Sequence, residues 1–474
     1  MNVQSQSPLS RRNLFGRMTD GLMGLALAHL WPEGLFADEP SAIPRAPDLR
    51  PRAPHYPARA KSVIQLFMNG GPSQMDLFDP KPLLGEYSGR PFPGDIDVQQ
   101  SDQAGGILPS PFKFTRHGRS GIELSEVLPH LGPCVDDITF IRSMHTEHVN
   151  HEPALWAMHT GQIIPGRPCM PAWVLFGLGS ANDNLPAFIV LDDESGLPID
   201  GIRNWSSGWL SPLYQGTRFR AKDTPVWNLN PHRARSEDVV AGRRELLGSL
   251  DRIHFSQRPN ESELEARLAN YQMAARMQME ATDALELSEE SEAMKRLYGI
   301  DAPVTDSYGR RCLMARRLVE RGVRYVQIYI NNQVWDNHSD LEKGLRDNCA
   351  RTDKPVAALL QDLKSRGLLD STLVIWGGEF GRLPLSQAGN GRDHNKDGFT
   401  IWMAGGGVKA GYVHGATDDF GYKAVEKPVS VHDFHATVLH LLGLDFERLK
   451  YNRNGLNERL TGVTKARVVS ELLV

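Results

Sequence analysis

Four apolar runs in this chain are too continuous to belong to a sheet with one wet face. SVIQLFM (62–68), VRYVQIYI (323–330), STLVIW (371–376) and FTIWMA (399–404) are each of strand length, and none alternates cleanly with polar residues. Runs of this kind suit strands buried on both faces, the usual state of a parallel sheet. The segments around them have helical rhythm: 306–321, roughly 352–366, and HDFHATVLHLLG (432–443), which ends on glycine. The expected fold class is therefore α/β, a mostly parallel sheet flanked by helices on both faces. In such sheets ligands and catalytic groups collect beyond the carboxyl ends of the strands. That rule selects the positions to weigh.

Between about 196 and 305 the pattern changes. Residues 201–232 are rich in Trp, Asn, Ser and Pro and read as an elaborated loop. ESELEARLANYQMAARMQME (261–280) reads as a long helix whose methionines serve packing. The segment is expected to be a helical and loop-rich cap insertion in one domain spanning 62–474.

The N-terminus has a different character. SRRNLF (10–15) precedes the short apolar run GLMGLALAHL (21–30), the order of a twin-arginine export signal, assigned to 1–37. Prolines at 40, 44, 47, 51, 54 and 57 predict an extended linker over 38–61. The expected location is periplasmic or extracellular, with no stable membrane span in the mature protein. A formal net charge of −4 gives no basic face for a polyanion, so no nucleic-acid partner is expected. Cys134, Cys169, Cys312 and Cys349 form no CxxC pair, which argues against a zinc–thiolate site. Disulfides and buried free thiols both remain open.

Four polar clusters fall at strand ends. Asn69, Ser73, Asp76 and Asp79 follow the first strand, where a turn explains them as well as a site does. MHTEHVNHEPALWAMHTG (144–161) places His145, His148 and His151 at steps of three, interleaved with Thr146 and Asn150. Imidazoles suit zinc and similar ions, and Thr146 is a nucleophile candidate if a metal or base activates it. WDNHSD (335–340) sets Asp336 and His338 two apart, close enough to chelate one ion. The last cluster joins Glu379 and Arg382 of GGEFGR to Arg392, Asp393 and His394 of GRDHNKDG. The two arginines are candidates to hold an oxyanion, with a salt bridge to Glu379 as the alternative.

Taken in order, NGGPSQMDLFDPKP, NHEPALWAMHTG, WDNHSD, GGEFGRLP, GRDH and HDFHATVLHLLGLD resemble the exported domain-of-unknown-function family 1501. That family is sulfatase-like and looks like a branch of the alkaline phosphatase and sulfatase superfamily. The resemblance implies metal ions at the strand ends, with Thr146 nearest the nucleophile's place. It implies Asp336, His338 and His394 as ligands, with Glu379 and Asp393 added to the candidate metal set. Asn69 stands where relatives carry a metal-binding Asp, and Phe380 where they carry a ligating His. The nucleophile motif Cys-x-Pro-x-Arg is absent, since CMPAW (169–173) ends on Trp173.

The expected function is an exported hydrolase of phosphate or sulfate esters, dependent on a divalent metal. Zinc is favoured over calcium, magnesium or manganese. Thr146, Arg382 and Arg392 are the catalytic candidates. Asn69, Ser73, His145, His148, Asn150 and His151 are expected to touch substrate or support the ligands, and the partner is a small-molecule or glycan ester. The alternative is a non-catalytic envelope protein that binds sulfated glycan or a protein partner, which Trp205, Trp209 and Trp227 would suit.

Overall fold

The computed structural model describes residues 48–99, 101–221, 225–226, 236–258, 262–280 and 285–474. The export signal, the first part of the linker and Trp227 lie outside the described residues. The elements used below, in chain order, begin with β1 (Ser62–Phe67), β2 (Ile138–His145), α1 (His151–Thr160) and α2 (Met170–Leu178). β3 (Phe188–Leu191), β4 (Thr217–Phe219), α3 (Glu237–Ser256), α4 (Ser262–Glu280) and α5 (Asp306–Glu320) follow. The chain continues through β5 (Tyr325–Tyr329), α6 (Leu341–Ser365), β6 (Thr372–Gly377) and β7 (Phe399–Ala404). It finishes with β8 (Tyr412–His414), β9 (Val429–Ser430) and α7 (Val431–Leu441).

The nine strands form one sheet in the order β8-β2-β7-β6-β1-β5-β3-β4, with β9 also pairing β2. All pairings are parallel except those of β7, which runs against both β2 and β6. The exception has a simple cause. No crossover helix separates β6 from β7, so the chain returns from the end it has just reached, and the returning strand must run antiparallel.

Alternate residues of each strand feed two cores. Ile64, Leu66, Val374, Trp376 and Trp402 pack with α5 and α6 on one face. Val63, Phe67, Leu373, Ile375 and Ile401 pack with α1, α2 and α7 on the other. Burial on both faces removes any reason for polar alternation, which is why the runs read as continuous.

Three expectations change in detail. β4 belongs to the region read as a cap, yet it pairs with β3 and extends the main sheet. α6 starts eleven residues before the expected helix and runs through Pro355, where the ring forfeits one backbone bond. The described part of the linker is bonded to the domain: Arg52 N donates to Leu178 O, Tyr56 N to Gly443 O, and Arg59 and Ala60 N to Leu441 O. All four cysteines are free and buried. Among the described residues, no helix is long and apolar enough to cross a membrane.

Candidate metal centre

The carboxyl ends of β1, β5 and β6 meet at one edge of the sheet, and the loops that leave them build a single polar centre. After β1 the chain turns through Gly70 and Gly71, both at positive φ, of 115° and 77°. A Cβ on Gly70 would lie 2.6 Å from the Asp336 amide nitrogen, and one on Gly71 2.6 Å from the Phe380 ring. Only glycine lets the β1, β5 and β6 loops close on one another here.

His151, Asp336, His338 and His394 offer ligand atoms that all lie within 4.8 Å of one another. Asp336 is the hub. Its Oδ1 is 2.9 Å from His338 Nε2 and 3.1 Å from His394 Nε2, and its Oδ2 is 3.3 Å from His151 Nε2. Each imidazole is held from behind. His151 Nδ1 donates to Glu379 Oε1 at 2.7 Å, His394 Nδ1 to the Val149 carbonyl at 2.8 Å, and His338 Nδ1 to Gln387 Oε1. A ring whose Nδ1 carries the proton presents the Nε2 lone pair, so all three aim an acceptor at the centre.

That arrangement fits a metal ion. The Nε2 atoms of His338 and His394 stand 3.0 Å apart, and two lone pairs at that distance repel unless a proton or cation sits between them. Three imidazoles and one carboxylate form the nitrogen and oxygen set that zinc accepts in tetrahedral geometry.

The protonation states follow from the same contacts. Burial opposes charge on His151, but the carboxylates of Asp336 and Glu379 outweigh it and raise its pKa to about 9, so a bound ion would have to displace the proton that Nε2 otherwise carries. Burial, helped by the charges of Arg382 and His151, pushes His394 down to about 4 against the pull of Asp336. The bond to Asp336 raises His338. Asp336 resists the upward push of burial and is held far below the usual carboxylate range by the three imidazoles and Arg382.

The remaining expected residues fall into three groups. Glu379 and Asp393, expected among the metal candidates, are not in the group of four. Glu379 is fully buried behind His151 and also accepts from Gly70 N at 2.8 Å. Asp393 turns to backbone, accepting from His394 N at 2.8 Å and Gln99 N at 3.1 Å.

The arginines do not face a substrate either. Arg382 and Arg392 are both fully buried, and their donors are occupied inside the protein. Arg382 Nε donates to Gly71 O at 2.8 Å, its Nη1 to Arg392 O at 3.1 Å, and its Nη2 to Gly70 O and, at 2.6 Å, to Asp336 Oδ1. Arg392 grips Asp76 with two bonds of 2.7 and 3.1 Å. The expected oxyanion role gives way to one of holding loops and Asp336. The alternative salt bridge to Glu379 is not formed, because both guanidinium groups find other partners.

Several buried polar atoms of the expected residues have no hydrogen-bond partner. Thr146 Oγ1, both side-chain heteroatoms of Asn69, His151 Nε2 and Glu379 Oε2 are among them. Ser73 instead bonds Asp76 at 2.5 Å beside a short helix, the turn role. Asn150 precedes α1 and takes a bond from Gln99, while its amide donates to His148 Nδ1 at 3.0 Å. His145 is half-buried, with its pKa lowered by burial, and is not one of the four clustered residues. His159, at the far end of α1, sits against Tyr329 and Gln327, where burial drives its pKa to about 3.

Two residues take positions other than those expected of them. His151 joins the inner set rather than supporting it; the three-residue histidine spacing was the available signal. Phe380, unable to ligate, lies against His151 and His394 with ring centroids 4.8 and 4.5 Å away, and so walls two of the imidazoles.

The chain matches the family model described as a protein of unknown function (DUF1501) over residues 60–473. No match was found among curated proteins. Among solved structures the chain is similar to the lipoteichoic acid synthase LtaP from Listeria monocytogenes, at 10% identity and a TM-score of 0.35, covering 84% of this chain and 76% of that one. It is similar to the PsFucS1 sulfatase from Pseudoalteromonas sp. at 12% identity and a TM-score of 0.35, covering 83% and 68%. The alkaline phosphatase from the Antarctic bacterium TAB5 matches at 9% identity and a TM-score of 0.30, covering 82% and 99%. Likeness this low says nothing of substrate or activity. The match to the family model, over nearly the whole length, does place the protein: it belongs to the DUF1501 family.

Proposed function

We propose that the protein is an exported, metal-dependent hydrolase of phosphate or sulfate esters. The observation that carries the reading is the convergence of three Nε2 atoms on Asp336, each ring fixed from behind by its own acceptor. The ester class rests on the resemblance of the strand-end motifs, and export on the Arg11–Arg12 signal.

His151, Asp336, His338 and His394 would hold the ion, and zinc suits their donor atoms better than calcium, magnesium or manganese, which prefer oxygen. When bound, the ion would polarise the ester oxygen and lower the proton affinity of a water or hydroxyl. Glu379, Gln387 and the Val149 carbonyl keep the rings in the tautomer that ligates. Arg382 fixes Asp336. Thr146 Oγ1, buried without a partner, is the nucleophile candidate within the chain. Asn69 offers a carboxamide to a transferred group or an ordered water.

Turnover of an aryl phosphate and an aryl sulfate tests the reading, with zinc, manganese, magnesium and calcium each added. Hydrolysis should be lost in His338→Ala and in His394→Ala while the far-ultraviolet circular dichroism is kept. Hydrolysis that survives both substitutions would remove the centre from the chemistry. The glycan-binding alternative gains nothing from Trp205, which is fully buried.

A further inference from the structure

α3 is a twenty-residue helix with its apolar side turned away from the protein. No residue of it whose side chain is described is buried. Val240, Arg244, Gly248, Asp251 and Phe255, spaced at helical intervals, are the half-buried side. The opposite side carries Val239, Leu246, Leu250 and Ile253, flanked by Leu247. These five side chains are between 49% and 61% exposed. Amphipathic helices are stabilised mainly by covering their apolar stripe, and here nothing in the chain's described residues covers it.

We propose that this stripe is a dimer interface, covered by α3 of a second copy running antiparallel about a two-fold axis. Three features favour that occupant. Positions 239, 243, 246, 250 and 253 alternate steps of four and three, the seam spacing of a coiled coil. Beside the seam, Gly242, Ser249 and Ser256 recur every seven residues, so two backbones can approach closely on that side. Four of the five seam positions are apolar; Arg243 is the one charge within the seam, and Asp238, Arg244, Glu245, Asp251 and Arg252 fall outside it.

An axis between Leu246 and Leu250 brings each leucine onto the other's counterpart. The balanced flanks give an anionic bilayer little to attract, which separates this helix from cationic interfacial ones. A helix of about 30 Å covers on the order of 1,000 Å² in total when paired with itself, at the lower limit for specific association. The dimer should accordingly be concentration-dependent.

Sedimentation equilibrium of the purified full chain tests this. The expected result is reversible dimerisation with a dissociation constant on the order of micromolar. Leu246→Glu with Leu250→Glu should weaken it at least 100-fold with helix content unchanged. Cysteines introduced together as Leu246→Cys and Leu250→Cys should cross-link two chains on oxidation, because the native cysteines are buried. A monomer at 100 micromolar (about 100 times the expected constant) would overturn the proposal. So would a dimer indifferent to the glutamates, or flotation on phosphatidylglycerol vesicles by a protein that stays monomeric. The outcome is independent of the metal centre.

Discussion

At the residue scale, the centre turns on what stands behind each ligand. Glu379 accepts from His151 and from the Gly70 amide, so one carboxylate sets both a ring and the turn after β1. Glu379→Gln keeps the shape but loses the charge that favours a tight ring–metal contact. Its zinc affinity, measured by competition with a chromophoric chelator, should fall about 10- to 100-fold with the melting temperature of the metal-free protein little changed. Thr146→Val tests the buried hydroxyl. Removing an unpartnered polar atom should leave stability equal or higher, while ester turnover should drop at least ~100-fold if Oγ1 attacks the substrate. The grouping of Asp336 with His338 was legible in WDNHSD, because two donors two residues apart can meet wherever a loop allows. The support role of Glu379 was not legible, since spacing in the chain does not say whether a carboxylate touches a metal or a ring nitrogen. The arginines misled for a related reason: a guanidinium beside glycine loops reads as an anion clamp, yet backbone carbonyls took its donors.

At the scale of elements, the strands were readable and the sense of one was not. The apolar run 399–404 gives β7 its bounds, but direction follows from the absence of a helix in the preceding connection. That connection carries Glu379, Arg382, Arg392 and His394. Pro355 likewise hid the first half of α6, because proline normally marks a helix start and here lies well inside one. The helices behind the sheet are tied by Asp362, which pairs with the Arg316 guanidinium at 2.9 Å and accepts from Arg366 Nε at 2.7 Å and the Tyr298 hydroxyl at 3.0 Å. Asp362→Ala removes one of three carboxylates around the buried Arg316, which keeps Glu290 and Glu320, and leaves the Tyr298 hydroxyl without its acceptor; it should cost about 1–3 kcal/mol in urea denaturation. Asp353 on the same helix accepts the His130 and Leu131 amides at 2.7 and 2.9 Å, yet burial raises its pKa to about 6. Between roughly pH 4 and 6 the folded chain keeps a proton that the unfolded chain has lost, so this group's contribution falls as pH rises through that window. Asp353→Asn should therefore gain on the wild type by ~2–3 kcal/mol between pH 4 and 7, read from paired urea titrations.

For the whole molecule, the account joins a sheet buried on both faces to one polar edge. The fold brings residues 69, 151, 336, 338, 379 and 394 together from loops that are far apart in the chain. No spacing rule in the sequence ranks such distant residues by their distance from one point. That is why a family resemblance was needed to collect them and a structure to order them. The central claim is that His151, Asp336, His338 and His394 bind a divalent ion. Elemental analysis of the purified protein after dialysis against low-micromolar zinc, with a second sample in manganese, magnesium and calcium, tests it most directly. The account expects one equivalent of bound ion per chain, zinc held most tightly, and its loss in Asp336→Ala and in His338→Ala with the fold intact. A wild-type protein that retains no stoichiometric zinc, manganese, magnesium or calcium would contradict it.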